Sequence, residues 1–452
     1  VRSGDGRGAP LRAAAAVLAA IGSLLPEGAK GDDTAGGWLD RVRLSTLIES
    51  SLAVQTADGV VQKSELVLTP ELQADLAGGV DLTAITRLRG DASDRLEPGK
   101  TSQDTRAPET RRLFLGDDVD AELRELYVDI DIDAAALRIG KQQIVWGEAD
   151  GLKVLDQVDP QSYREFVLPD FDDSRIPLWS LNAEVPLADM RLQLLWVPDT
   201  TYDDIPERDA AFAFRSPLLV PQPPPGVPVD VQDPRRPDDP LTDADAGLRL
   251  SGMTGGWQFS LNYLYHFYDR PAALVDATAT GLRVTPKYRR THLVGGSVNN
   301  AFGDVVLRGE VAYSSDRYFP TDASDADGVA RSDEIGYVLG LDWSGLADTL
   351  VSGQVFQSVI ADHQQPMAQD QVETILTLLV RRSFLNETVR AEVFHFQSMN
   401  EGDVLFRARL AYDLYSNVEV SLGTDIFFGD RDGLFGQYEN RDRVVFGMTI
   451  GL

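Results

Sequence analysis

The chain has 452 residues, 43% of them hydrophobic and 25% charged, with no cysteine, four histidines and a net charge of -29 at a pI near 4.4. That length suits one large barrel or two to three ordinary domains. The missing cysteines exclude a disulfide framework and thiolate metal sites, and the acidity excludes nucleic acid held on a general basic surface.

The first segment reads as processing, not fold. Arg2, Arg7 and Arg12 precede an apolar run at 13–25, and Pro26, Gly28 and Ala29 follow it, the order of a secretory signal peptide over 1–29. The run is short for a membrane span, and no later stretch reaches the length of a transmembrane helix. A membrane form of residues 30–452 must therefore cross as strands.

From residue 41 the polarity alternates in segments of about ten to sixteen residues, and the breaks between them are alternately short and long. Segments 41–57, 64–77 and 81–94 lead to a long polar loop at 95–119. Segments 121–131 and 135–147 form the next hairpin, and a long connection at 149–177 follows. The hairpin 178–186 and 190–198 precedes a third long connection, 199–243, whose proline runs at 221–226 and 233–240 cannot form a ladder. The clearest strand is 257–268: Trp257, Phe259, Leu261, Tyr263, Tyr265 and Phe267 share one face, which must lie in lipid or under a second sheet. Nine further segments run from 286 to 452. In one of them, 388–397, Arg390 and Glu392 share a face with Phe394 and Phe396, so a bulge or local reversal is expected.

The count is about 18 strands, within 16 to 20, in an all-β transmembrane antiparallel barrel. The last segment, 443–452, is its closing stave, with expected neighbours 418–429 and 41–57. Short turns would face the periplasm and long loops the outside. If lipid takes the apolar face, the lumen receives Arg87, Arg89, Glu125, Asp129, Arg138, Arg308, Glu310, Arg407 and Arg409. A mixed-sign lining suits a hydrated passage, although neighbouring charges can also simply pair across the ladder. A barrel this wide leaks unless narrowed. Residues 151–166, which mix apolar and charged side chains and offer a short helix after Pro160, are the segment expected to fold into the mouth. An outer surface loop is the alternative.

Little chemistry is visible. No nucleophile elbow, paired zinc-ligand spacing, Walker loop or dinucleotide fingerprint occurs. Asp170, Asp172 and Asp173 have calcium-type oxygens without an EF-hand pattern, which reads as a solvated charge run. No cofactor is expected.

The run Ile139-Gly140-Lys141-Gln142-Gln143-Ile144-Val145-Trp146-Gly147-Glu148, followed by Val158-Asp159-Pro160, resembles an uncharacterised proteobacterial outer-membrane family carrying domain of unknown function 1302. The resemblance is sharp over 137–185. Asp159 stands where that family tends to have Asn. The resemblance implies a porin-like barrel in a Gram-negative outer membrane, traffic of apolar or organic compounds, and association with export or uptake machinery, without catalytic residues. Gln142, Trp146 and Glu148 match the motif, and with Asp156, Asp159 and Arg164 they are the expected constriction residues. The expected partners are outer-membrane lipid and lipopolysaccharide, whose cations the acidic loops could hold, and a small-molecule solute. A membrane hydrolase, or a passive barrel that docks an export or uptake partner, remains as the alternative.

Overall fold

The structure is a computed structural model that describes residues 41–99, 101–222, 226–321 and 328–452. The expected signal peptide, 1–29, lies outside the described residues. The chain divides into a unit of residues 1–43 and the unit Leu44–Leu452, which holds the barrel.

Eighteen strands form the wall. In chain order they are β1 (Val42–Gln55), β2 (Val61–Ala77), β3 (Val80–Asp91), β4 (Val119–Ile132), β5 (Ala135–Gln142), β6 (Leu178–Leu187), β7 (Met190–Val197), β8 (Asp245–Thr254) and β9 (Trp257–Phe267). The second half comprises β10 (Arg290–Phe302), β11 (Val305–Pro320), β12 (Val329–Trp343), β13 (Thr349–Ile360), β14 (Val372–Phe384), β15 (Val389–Ser398), β16 (Val404–Tyr415), β17 (Val418–Phe428) and β18 (Arg443–Gly451). Each strand pairs antiparallel with its chain neighbours, and β18 returns to β1. The seam runs from Leu47 opposite Gly451 to Gln55 opposite Arg443, and Thr46 and Leu452 exchange a further pair of backbone hydrogen bonds. Closure leaves no strand edge, which a sheet in lipid requires.

The period-two pattern decides which way each side chain points. On β9, Leu261 is 59% exposed while Ser260, Asn262, Leu264 and His266 are buried inside. Exposed Val311, Leu339, Leu378, Leu422 and Phe446 continue this outer apolar belt around the wall. Trp257, Phe302 and Trp343 lie at the strand ends near the short turns, and Trp196, Tyr265 and Tyr313 near the other rim. Two aromatic girdles around an apolar belt are what a barrel in a bilayer presents.

Four local expectations change. β5 stops at Gln142 instead of reaching residue 147. No helix follows Pro160, because Gln161 and Ser162 spend their backbone N–H groups on Asp203 Oδ1 and on the Ser174 carbonyl; the short helix lies later, at Phe171–Ser174. β10 begins at Arg290, not 286, since Gly281–Lys287 instead forms a hairpin with Ala272–Thr278 that also takes up Val229–Val231 from the proline-rich connection. β15 carries no bulge: its registers with β14 and β16 run without a shift. Arg390, Glu392, Phe394 and Phe396 all face inward: Arg390 and Glu392 border open lumen, while Phe396 is fully buried where protein fills it.

At the outer end of the seam Arg443 is buried and donates to Asp425 Oδ2 at 2.8 Å, with Glu165 Oε2 also at 2.8 Å. Its loss would leave two buried carboxylates short of a partner, at a cost of about 3–5 kcal/mol. Arg443→Leu should therefore lower the temperature at which the folded barrel loses its compact mobility on SDS gels, whereas Phe446→Leu on the lipid face should change it little. Equal temperatures for the two variants would show that the seam does not depend on this charge group.

Candidate functional site

The wall is interrupted where β5 ends, and the cause is local. Gln142 is fully buried and its Nε2 donates to the Ser180 carbonyl at 3.3 Å. Beyond it the backbone leaves the ladder because side chains capture its donors: Asp159 Oδ2 accepts from Ile144 N at 2.6 Å, and Asp156 Oδ1 from Trp146 N at 3.4 Å. Residues 143–177 then cross the interior as a strap.

Trp146 seats the near end. It is fully buried, and its Nε1 donates to Gln193 Oε1 at 2.8 Å. A Cβ at Gly247 of β8 would lie 2.7 Å from the indole Cη2, so the wall opposite the ring must be bare of side chain. Ile144, Leu155 and Val158 of the strap pack with Trp146 against inward Leu195, Leu264 and Leu293. An apolar core thus forms inside the barrel.

Glu148 carries the strap to the far wall. Its Oε2 accepts from Asn299 Nδ2 at 2.6 Å, its backbone N donates to Glu310 Oε1, and its carbonyl accepts from Arg308 Nη1. Arg308 also reaches Asp150 Oδ2 at 2.7 Å and Asp342 at 2.9 Å, while Glu310 Oε2 accepts from Leu155 N at 3.3 Å. Gln354 of β13 exchanges hydrogen bonds with the Asp150 backbone at 3.2 and 3.3 Å. The tip is Gly151, in the left-handed region at φ +83°, where a Cβ would lie 2.6 Å from Phe396.

The returning limb is fastened by charge. Arg164 meets Glu65 Oε1 at 2.5 Å, Glu97 at 2.7 Å and Asp91 at 3.2 Å, and Glu165 bridges Lys63 at 2.5 Å and Arg443 at 2.8 Å. Burial alone would raise the Glu165 carboxyl, but Lys63, Arg443 and Arg164 together outweigh it and hold the group well below the usual carboxylate range. Tyr163, Phe166 and Leu168 then join Phe212, Phe435 and Tyr438 from other outer loops in a second apolar cluster. Finally Arg124 of β4 donates to the carbonyls of Asp172 and Arg175, at 2.7 and 2.9 Å, and pins the short helix.

The strap separates two cavities. An outer one of about 350 Å³ lies between Tyr163, Phe166, Phe171, Phe214, Tyr268 and Phe356. An inner one of about 1020 Å³ runs toward the short-turn end along β1–β3 and β14–β18, past Arg87, Arg89, Arg407 and Arg409. Gly151, Val167, Pro169, Phe171 and Ser174 line both.

The residues expected from sequence therefore fall in three places. Gln142, Trp146, Glu148, Asp156, Asp159 and Arg164 lie on the strap or at its root; Arg308 and Glu310 grip its tip. Arg87, Arg89, Arg407 and Arg409 line the inner cavity, paired with Glu122, Asp120, Asp425 and Glu419. Glu125, Asp129 and Arg138 lie toward the short-turn end, where Arg138 reaches Asp129 at 2.6 Å and stacks on Tyr127, and Glu125 accepts from Gln143. Sequence reasoning missed Gln193, Gly247, Asn299, Gln354, Arg124 and Phe171. The inward parity of Gln193, Gly247, Asn299 and Gln354 was readable, but Arg124 turns inward only through the bulge opposite Ile85 and Thr86, and no local motif marks a residue as the partner of a distant segment.

A family model described as protein of unknown function (DUF1302) matches residues 86–377. The chain belongs to this family. The match is wider than the stretch over which the sequence resemblance is sharp. Among solved structures, Pseudomonas aeruginosa OccK1 (OpdK) superposes with a TM-score of 0.50 at 12% identity over 92% of this chain and 100% of its own. Acinetobacter baumannii OccAB2 gives 0.53 at 11% identity over 92% and 99%, and OpdK with vanillate gives 0.50 at 11% over 92% and 100%. At such identities the likeness is one of fold, that of outer-membrane barrels. No curated protein sequence matches the chain.

Asp159 is 1% exposed, and burial pushes its carboxyl well above the usual range despite the Ile144 N–H. As a neutral acid it is isosteric with asparagine. Because the folded-state value is the raised one, its stability contribution is complete below the ordinary carboxylate range and is lost as pH rises through the folded value. Asp159→Asn should remove that loss. As pH rises above the ordinary carboxylate range the unfolding temperature of the wild type should fall relative to the variant, and parallel curves would sink the idea.

Proposed function

We propose that this protein is an outer-membrane channel that passes small organic solutes, with the strap as its constriction. The observation that carries this reading is the pair of cavities on opposite faces of one strap, sharing part of their lining. A barrel serving only as an anchor has no need of a 1020 Å³ internal cavity lined by paired charges. Paired charges hydrate a passage without imposing one sign on it.

The outer cavity favours organic solutes with apolar parts over simple ions. Six aromatic side chains share the lining of a volume at the small end of the range for ligand pockets with charged groups such as Lys153, Asp203, Arg270 and Glu373, a mixture suited to an organic molecule with both apolar and polar parts. That one of the structurally similar barrels is known with vanillate, an organic solute, supports the same general class here. Outer-membrane lipid against the apolar belt and a small-molecule solute inside are the partners this reading requires.

Reconstituted in a planar lipid bilayer, the protein should give discrete conductance steps. Loosening the strap tip by combining Arg308→Ala with Glu310→Ala removes the hydrogen bonds that β11 gives it and should give larger, noisier steps, by roughly twofold or more. An ion-tight barrel in both forms would defeat the channel reading and favour a docking barrel.

A further inference from the structure

We infer that Phe171 is the gate of this passage and that it admits solutes by a planar apolar ring, an inference that rests on the channel reading above. Of the five residues shared by the two cavities, Gly151 has no side chain, and Ser174 is buried with its hydroxyl donating to the Phe171 carbonyl. The side chains left to form the boundary are those of Val167, Pro169 and Phe171. The two cavities carry many charges, yet the surface between them is apolar.

Phe171 is also the aromatic side chain of the strap that stays out of both interior clusters. Tyr163 and Phe166 join one, and Trp146 and Leu155 the other, while Phe171 stands half-buried at the cavity boundary. An aromatic ring held at a wet surface forgoes the burial that its neighbours obtain. Two cations keep it there: Lys153 Nζ lies 5.8 Å from the ring centroid and the Arg175 guanidinium 5.3 Å. The backbone beneath is pinned by Arg124, so rotation of the side chain is the least costly way for this boundary to yield.

The class of solute follows from what each candidate would lose at the ring. A hydrated sugar or ion must shed water against Val167, Pro169 and Phe171 and gains no replacement hydrogen bonds from those three side chains, while Lys153 and Arg175 beside the ring are already paired with Asp156. A planar apolar ring sheds little and exchanges the outer aromatics, such as Tyr163 and Phe214 packed edge-on at 5.5 Å, for contact with Phe171. Selection by charge is the weaker alternative, since the inner-cavity Arg407, Arg409 and Arg443 are each already paired with a carboxylate.

The test uses the whole barrel in a planar lipid bilayer, with neutral benzamide as the ring probe and myo-inositol as a polar probe of similar size. Benzamide should lower the wild-type ion current with a saturable dose dependence, and inositol should not. Phe171→Ala should raise the open current roughly twofold and weaken benzamide block roughly tenfold, while Phe171→Tyr retains the block. Should the Ala variant fail to fold, Phe171→Leu keeps the bulk without the ring and should lose the block in the same way. The chain contains no cysteine, so Phe171→Cys offers a single thiol, and a charged thiol reagent should close it from either side of the membrane. Leu241→Cys, on an exposed loop, should be modified without effect on current. Equal benzamide block in wild type and Phe171→Ala, equal block by inositol, or a Phe171→Cys thiol reachable from neither side would overturn the gate while leaving a conducting barrel intact. A wild type that carries no current would overturn the channel reading, and the gate with it.

Discussion

The structure depends on the grip of β11 on the strap tip. Arg308 and Glu310 lie two residues apart on one inward face, and between them they take the carbonyl and the N–H of Glu148 together with Leu155 N and the Asp150 carboxylate. An irregular backbone at membrane depth is tolerated only where its polar groups find partners inside the protein. Two charged side chains supply those partners without adding a strand, so the strap can cross the lumen and remain irregular. Removing that grip would leave buried backbone groups of Glu148 and Leu155 unpaired.

Both ends of the strap combine the same two kinds of interaction. The near end has an apolar plug at Trp146 with Asp156 and Asp159 closing the turn, and the returning limb has the Phe166 cluster with Arg164 and Glu165 beside it. Glu165 is notable because its two partners, Lys63 on β2 and Arg443 on β18, flank β1. The strap that narrows the lumen thus also ties the strands on either side of the seam. Removing one partner from a group so buried costs far more than a surface ion pair is worth, so constriction and barrel closure are energetically linked.

The lumen charges resolve into a division of labour. Arg308, Glu310, Arg164 and Glu165 are spent on holding the strap, and Arg407, Arg409 and Arg87 on pairing across the wall. The side-chain surface that the two cavities share is instead largely apolar, at Val167, Pro169 and Phe171.

Much of this was legible in the chain itself. The period of two, the alternation of short and long breaks and the apolar face of 257–268 indicated a closed barrel of about 18 strands, its outside face and its seam between β1 and β18, because strand parity and lipid contact are local constraints that every segment must meet by itself. The same parity placed Arg87, Arg308, Glu310 and Arg407 inside. It misjudged β15, where Phe394 and Phe396 looked as if they belonged in lipid, because sequence parity cannot reveal that the lumen at that level is full. It ran β5 on to residue 147, because the carboxylates that pull Ile144 and Trp146 from the ladder lie ten to fifteen residues further on. The pairing of Glu148 with Asn299 and Arg308, the space that Gly247 leaves for Trp146, and the position of Phe171 between the cavities were decided only by the tertiary structure. Each joins segments that closure of the barrel brings together across the lumen, and no local pattern encodes that distance.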